Sequence, residues 1–203
     1  MELCIKLKAM LLFRKTHIIF LSFLMLAVFM PQWCFAQTFN LNNQESSLVI
    51  SGTSSLHDWE VIVEDKSGEI VFNDLKTRDI DECSLVIMAE SLKSGKKSMD
   101  KNTYKAIKTN AYKKITFQLI EVKEIVNKES GKFHVTCFGN LFVAGVEKRI
   151  SLDFEGHVFE DKIILNGEKN IKMTDFNIDP PKALFGTIKT GNDIRIKFSA
   201  TFE

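Results

Sequence analysis

The 203-residue sequence has only three prolines, two tryptophans, two tyrosines and no Cys-x-x-C pair. Each scarcity removes a class of protein. Without a Pro-, Gly- or Ser-rich tract there is no linker at which to divide the chain. So little Trp and Tyr denies an outer-membrane barrel the aromatic girdles it needs at both interfaces. No Gly-rich loop is present to cradle a phosphate, and no Ser or Cys sits in a Gly-flanked elbow where it could serve as a nucleophile. With 27 basic against 26 acidic side chains, nothing global points to nucleic acid. The longest apolar run, Ile18 to Met30, is 13 residues, against the ~20 that a membrane-spanning helix requires.

That run has a different explanation. Lys6, Lys8, Arg14 and Lys15 precede it, Pro31 breaks it, and Cys34-Phe35-Ala36 places small residues at positions −3 and −1 of a cleavage before Gln37. This is the pattern of a secretory signal peptide over residues 1–36, with a membrane anchor as the alternative. Gln32-Trp33 is wrong for lipid attachment at Cys34. The remainder, Gln37 to Glu203, is 167 residues, a single domain destined for the periplasm. It keeps 23 basic and 25 acidic side chains, a net charge of about −2. Twelve of the 17 phenylalanines also remain, against Trp59, Tyr104 and Tyr112. Phe fills apolar space and offers no polar handle, so the composition predicts an apolar interior in a soluble protein.

The last eleven residues, Asp193 to Glu203, alternate without error. Ile194, Ile196, Phe198, Ala200 and Phe202 share one side; Asp193, Arg195, Lys197, Ser199 and Thr201 share the other. A period of two predicts a strand with one dry and one wet face. Its polar outer row also argues against a membrane-spanning barrel. Strands are further expected at Ser47–Gly52, Asp58–Glu64, Glu69–Phe72, Glu82–Glu90, Ile115–Val126, Lys132–Ala144, Glu147–Val158 and Lys162–Met173. Asp65 to Gly68 reads as a hairpin turn, the slip in phase near Val122 as a bulge, and Gly139 as a kink. Eight or nine strands joined by short turns predict an up-and-down barrel or a sandwich. One segment breaks the pattern. Ser98 is placed to cap a helix from Met99, with Tyr104, Ile107 and Ala111 along one face, set where it could cover a barrel mouth. Asp175 to Gly186 is irregular yet apolar, fit either to pack across the barrel end or to form a pocket entrance.

Few residues offer chemistry. Eight lysines (Lys93, Lys96, Lys97, Lys101, Lys105, Lys108, Lys113 and Lys114) lie within 22 residues whose only acid is Asp100. This is either a solvated helix face or a cationic collar for an anionic headgroup or membrane surface, with Lys101, Lys105 and Lys108 as the contact residues. His57-Asp58 is a close His–carboxylate pair, but without a nucleophile it reads best as a backbone tie where the chain bends. His57, His134 and His157 lack metal-ligand spacing, and no cofactor or metal is expected. An exported compartment permits a disulfide between Cys83 and Cys137; their apolar strand settings equally fit two small buried side chains.

Five stretches, in order, carry a resemblance: GTSSLHDW (Gly52–Trp59), SLKSGKKSMDKNTYKAIK (Ser91–Lys108), ITFQL (Ile115–Leu119), GNLFVAGVEKRISLDF (Gly139–Phe154) and IKMTDFNIDPPKALFGTIKTGNDIRIKF (Ile171–Phe198). Together they resemble the YceI-like family, most closely its Bacteroidetes-type branch, across essentially all of residues 37–203. The resemblance implies an all-β fold, an extended eight-stranded antiparallel lipocalin-like barrel with one short helix near a mouth. It also implies an exported, non-enzymatic carrier that holds a polyisoprenoid, isoprenoid quinone or similar long amphiphile in an apolar tunnel. No catalytic residue comes with it. On the inward parity of the strands, the candidate tunnel walls are Trp59, Val61, Phe117, Leu119, Phe133, Val135, Ile150, Leu152, Phe154, Ile196 and Phe198, each of which could equally pack core. The competing reading is a filled barrel acting as an envelope stress or adaptor protein through protein contacts. A continuous apolar cavity above roughly 300 Å³ would separate the two. Peripheral contact with an anionic membrane and a homodimer are both left open.

Overall fold

The computed structural model describes residues 36–159, 161–183 and 186–203. The expected signal segment therefore lies outside the described residues up to Ala36, as do Leu184 and Phe185 of the irregular stretch. The strands are β1 (Gln37–Asn40), β2 (Ser47–Ser54), β3 (Trp59–Val63), β4 (Lys66–Asp74), β5 (Asp79–Met88), β6 (Leu92–Lys93), β7 (Lys114–Asn127), β8 (Lys132–Val143), β9 (Val146–Phe159), β10 (Lys162–Lys172), β11 (Lys182–Ala183) and β12 (Ile188–Phe202). They form one antiparallel sheet in the lateral order β1-β4-β5-β7-β8-β9-β10-β12-β2-β3-β6, with β11 joined to β12. The sheet curls strongly. Asn40 and Glu203 exchange two backbone hydrogen bonds of 2.8 and 2.9 Å, and Leu41 bridges Phe202, so the end of β1 reaches the end of β12.

The sheet has twelve strand segments where eight unbroken strands were expected. Local polar chemistry makes the interruptions. Between β1 and β2, Asn42 Oδ1 accepts from the backbone N–H of Gln44 and Glu45, an Asx turn that takes the chain out of the ladder. β3 and β4 are separated only by Glu64-Asp65, and they are not the hairpin expected at Asp65 to Gly68. β3 pairs with β2 and β6, whereas β4 pairs with β1 and β5. The matching break between β5 and β6 is a short 3₁₀ turn, Ala89–Ser91. Ser91 ties the two breaks together, its Oγ donating to Met88 O at 2.7 Å and Asp65 O at 3.1 Å.

The bulge expected near Val122 is present. The β7–β8 register shifts between Leu119 and Glu121 and again between Val122 and Glu124, bracketing the phase slip near Val122. Gly139 sits opposite Leu119 beside the first of these shifts. A Cβ there would meet the Phe117 ring at 2.3 Å, so glycine is needed for room under an aromatic ring. β12 is longer than expected, at 15 residues. Asp193, Arg195 and Lys197 are exposed, as the alternation requires. Thr201 departs from it and is buried, because residues 45–46 fold over it and Ser46 Oγ accepts its backbone N–H at 2.9 Å.

The single helix among the described residues, α1 (Lys97–Ala106), starts two residues before the expected position. Ser98 does not cap it. Asp100 Oδ1 instead accepts from Ser94 N at 2.7 Å and Ser94 Oγ at 2.5 Å, pinning the first turn to the preceding loop. Tyr104 anchors the helix to the sheet, donating to Glu90 O at 2.8 Å and to Leu92 O at 3.0 Å. No described helix is long and apolar enough to cross a membrane.

The interior divides into two apolar clusters. One, around Ile70, Phe72, Phe133, Val135, Phe154 and Phe202, is densely aromatic. The other, around Val61, Val63, Ile87, Leu141, Met173 and Phe176, lies beneath Met99, Tyr104 and Ile107. At Gly156, paired with Phe133, an added Cβ would meet three atoms of that ring at 2.1–2.5 Å. Gly156→Ala is expected to lower unfolding stability by about 1–3 kcal/mol through overpacking. In urea melts, Phe133→Leu in the same background should give back part of that loss; strict additivity of the two changes would contradict the contact.

Candidate functional site

An apolar cavity of about 440 Å³ runs through the interior, within the usual range for ligand pockets. Its walls come from alternate residues of the long strands, since side chains in a strand alternate between faces and a curled sheet turns one face inward. β12 supplies Ile194, Ile196, Phe198, Ala200 and Phe202. The inner face of α1 adds Met99, Asn102, Thr103 and Ala106. The irregular stretch contributes Phe176 and Ile178, both buried. It therefore belongs to the cavity wall over those residues.

Ten of the eleven expected wall residues line this cavity: Trp59, Val61, Phe117, Leu119, Val135, Ile150, Leu152, Phe154, Ile196 and Phe198. Phe133 does not. Its ring is fully buried, laid over Gly156 with the Arg78 guanidinium 5.8 Å from its centroid, so it fills the aromatic cluster and leaves no face to the cavity. Trp59 is held at the wall by its Nε1–H, which donates to Thr53 O at 3.0 Å, and by the absence of a side chain on its strand partner Gly52.

The three lysines expected as contact residues are not at the cavity; of the eight-lysine cluster only Lys96 reaches its wall. Lys101, Lys105 and Lys108 are exposed and do not contribute to the cavity wall. Lys66, Lys96, Lys169 and Lys182 do, along with His57, and the described wall contains no Asp or Glu. Lys169 was legible as an inward position of β10, on the parity of Leu165 and Ile171, but a charge on a dry row is easily passed over; Lys66 fell in the expected turn and became an inward position only because β4 begins there. The Lys66 ammonium is buried and donates to Asn43 Oδ1, Asn43 O and Val63 O at 3.0, 3.2 and 3.4 Å. Desolvation holds its pKa below the ordinary lysine value, with the Asp65 charge acting in the opposite sense.

The histidines are dispersed. His57 Nδ1 lies 2.7 Å from the backbone carbonyl of Asp58, so His57 makes the backbone tie expected of the pair. His134 Nδ1 meets Glu155 Oε1 at 2.9 Å, and His157 Nε2 meets Ser130 O at 3.1 Å. Among the described residues no three His, Cys, Asp or Glu side chains gather as metal ligands.

Cys83 and Cys137 both line the cavity and are free thiols. The permitted disulfide is absent for a topological reason. Cys83 is on β5 and Cys137 on β8, with β7 between them. Two ladder spacings, roughly 9–10 Å, exceed the Cα separation of a disulfide.

Residues 39–202 match the YceI-like domain. The chain belongs to the YceI-like family. Solved structures share the fold of this YceI-like chain. Burkholderia cenocepacia BcnA is 16% identical with a TM-score of 0.64, over 79% of this chain and 98% of that one. A polyisoprenoid-binding domain from Saccharophagus degradans, implicated in plant cell wall breakdown, is 16% identical with a TM-score of 0.63, over 81% and 97%. The Campylobacter jejuni YceI protein is 23% identical with a TM-score of 0.53, over 68% and 81%. No curated protein sequence matches the chain significantly.

The thiols give a direct test of the enclosed wall. Burial, joined by the neighbouring Cys137, pushes the Cys83 thiol up to about 12; burial, joined by the Asp153 charge, pushes Cys137 up to about 11. Thiolate is the reactive form, so at pH 8 both should resist iodoacetamide and react fully only in denaturant. Native-state alkylation should rise toward pH 11. Rapid stoichiometric modification at neutral pH would contradict an enclosed apolar wall.

Proposed function

We propose that this YceI-like protein is an exported, non-enzymatic carrier that holds a long-chain amphiphilic lipid, a polyisoprenoid, isoprenoid quinone or similar molecule, in the cavity. The observation that carries the reading is the 440 Å³ apolar cavity itself, with walls contributed by most of the long strands and by α1. A barrel of this strand number can be filled by its own side chains; here the interior is left hollow. In this proposal the interrupted segments β1 with β2, β3 with β4, and β5 with β6 each act as one wall strand, which reduces the enclosing sheet to eight staves.

The driving force is transfer of apolar ligand surface out of water. About 15 methylene-sized groups at ~0.8 kcal/mol each give ~12 kcal/mol. Micromolar binding needs only ~8 kcal/mol, which leaves ~4 kcal/mol for ordering the chain and losing free motion. The polyisoprenoid-binding domain from Saccharophagus degradans, which shares the fold, supports a lipid of this class. A filled adaptor barrel would have no need of such a cavity. Lys101, Lys105 and Lys108, exposed on and just after α1, suit peripheral contact with an anionic membrane rather than contact with the bound lipid.

Organic extraction of the protein purified from its native envelope, followed by mass spectrometry, should recover a near-stoichiometric long-chain lipid. Ala200→Phe places a ring on the cavity wall and should lower that yield at least tenfold while the protein remains folded. Extraction of no lipid after gentle purification would count against the carrier.

A further inference from the structure

We infer that the cavity selects an amphiphile with an anionic head, and that Lys169 holds that head where β9 and β10 part. This deepens the carrier reading and rests on it. β10 presents Leu165, Lys169 and Ile171 to the cavity, with Met173 just past its end, so a lysine interrupts an otherwise apolar row. Across the ladder its partner is Ile196, another wall residue. The β9–β10 pairing runs from Lys162 and Phe159 to Gly167 and Phe154 and stops there. Lys169 is therefore two residues past the last rung, with its stem on the cavity wall. Its ammonium donates to Ser151 Oγ at 3.0 Å, on the β9 segment that no longer pairs with β10. Ser151 lies on the outward parity between the wall residues Ile150 and Leu152, so the ammonium sits in the gap between the two strands while the stem lines the cavity.

The contrast with Lys66 isolates the function. Lys66 is also inward, but its three N–H groups meet three oxygens, so it has nothing left to offer. Lys169 has one hydrogen-bond partner, a neutral hydroxyl, and no carboxylate within ion-pair distance among the described residues. A partly buried cation beside apolar surface is costly unless it is paired. Of the wall lysines, Lys96 and Lys182 are exposed to water and Lys66 is satisfied internally, and the described wall holds no acid, so a counter-charge for Lys169 has to come from a ligand. An amphiphile with a carboxylate or phosphate head supplies it, with the apolar tail lying along Ile171, Ile196 and Phe198 and two ammonium protons free for the head's oxygens.

Geranylgeranoic acid and geranylgeraniol share one isoprenoid tail and differ only in the head, so they test the assignment. Titrated into the purified, delipidated protein, the acid should bind roughly 10–100-fold tighter than the alcohol, the range expected for a charge-assisted hydrogen bond. Lys169→Met should remove that preference, the acid losing at least tenfold more affinity than the alcohol. Lys105→Met, on the exposed side of α1, should preserve it. Lys169→Arg keeps the charge and should retain most of the preference, which carries the test if the Met variant fails to fold. Equal binding of acid and alcohol, or a preference that survives Lys169→Met, overturns the anionic-head assignment and leaves the carrier standing. Binding of neither lipid by folded protein overturns both.

Discussion

The structure depends on β12. This strand pairs with β10 over ten residues on one side and with β2 on the other, and its end meets Asn40 and Leu41. It is the stave that draws the two ends of the curled sheet together. Its inner row of Ile194, Ile196, Phe198, Ala200 and Phe202 reaches from the helix-covered cluster to the aromatic one. A one-residue slip of β12 would carry Asp193, Arg195 and Lys197 onto the cavity wall, so the register is specified by burial as well as by hydrogen bonding. Closure of the sheet and polarity of the cavity are thus one constraint.

A closed sheet rich in phenylalanine need not be hollow, and the glycines explain why this one is. Gly52 faces Trp59, Gly156 faces Phe133 and Gly167 faces Phe198 across their ladders, and Gly139 lies beneath Phe117. At each site an added Cβ would stand 2.1–2.6 Å from the ring. The rings therefore lie flat along the strands rather than projecting toward the axis. Trp59, Phe117 and Phe198 become thin wall panels, and the central volume survives; Phe133 is drawn off the wall into the aromatic cluster. At the other end Phe39 and Phe72 pack edge to face with their centroids 6.2 Å apart, part of the aromatic cluster in which the interior is filled.

Most of the wall was legible in the sequence because it follows a single rule, the two-residue period. Where that period is clean, as in Asp193–Phe202 or Ile150–Phe154, inward residues read correctly. The failures have different physical origins. Phe133 obeys the parity, but parity cannot tell a ring facing open space from one pressed against Gly156. Thr201 breaks the parity because Ser46 and Glu45 fold over it from a loop 155 residues away in sequence. The interruptions near Asn42, Asp65 and Ser91 depend on side-chain hydrogen bonds that local hydrophobicity does not encode. The cysteines had the right environment for burial, but their pairing turned on a strand order that spacing does not reveal. Residues 1–35, read as a signal, lie outside the described structure.

The lysines show where sequence density misleads. Eight of them crowd one 22-residue stretch and dominate any charge profile, yet Lys101, Lys105 and Lys108 point to water, where a charge costs little and specifies little. Single lysines elsewhere, each unremarkable in composition, fall on inward rows and are costly to place there. That cost is the informative quantity. At Lys66 it is offset internally by three oxygens, which makes the ammonium a tie between residue 43 and the β3–β4 break. At Lys169 the only internal offset is one hydroxyl at the parting of two strands. An incoming anion gains its leverage at Lys169 from the partly buried setting, because an ion pair formed beside an apolar wall is less screened than one formed in water. On the proposed assignment, Lys169 is the inward-row cation whose counter-charge is left for the ligand to supply.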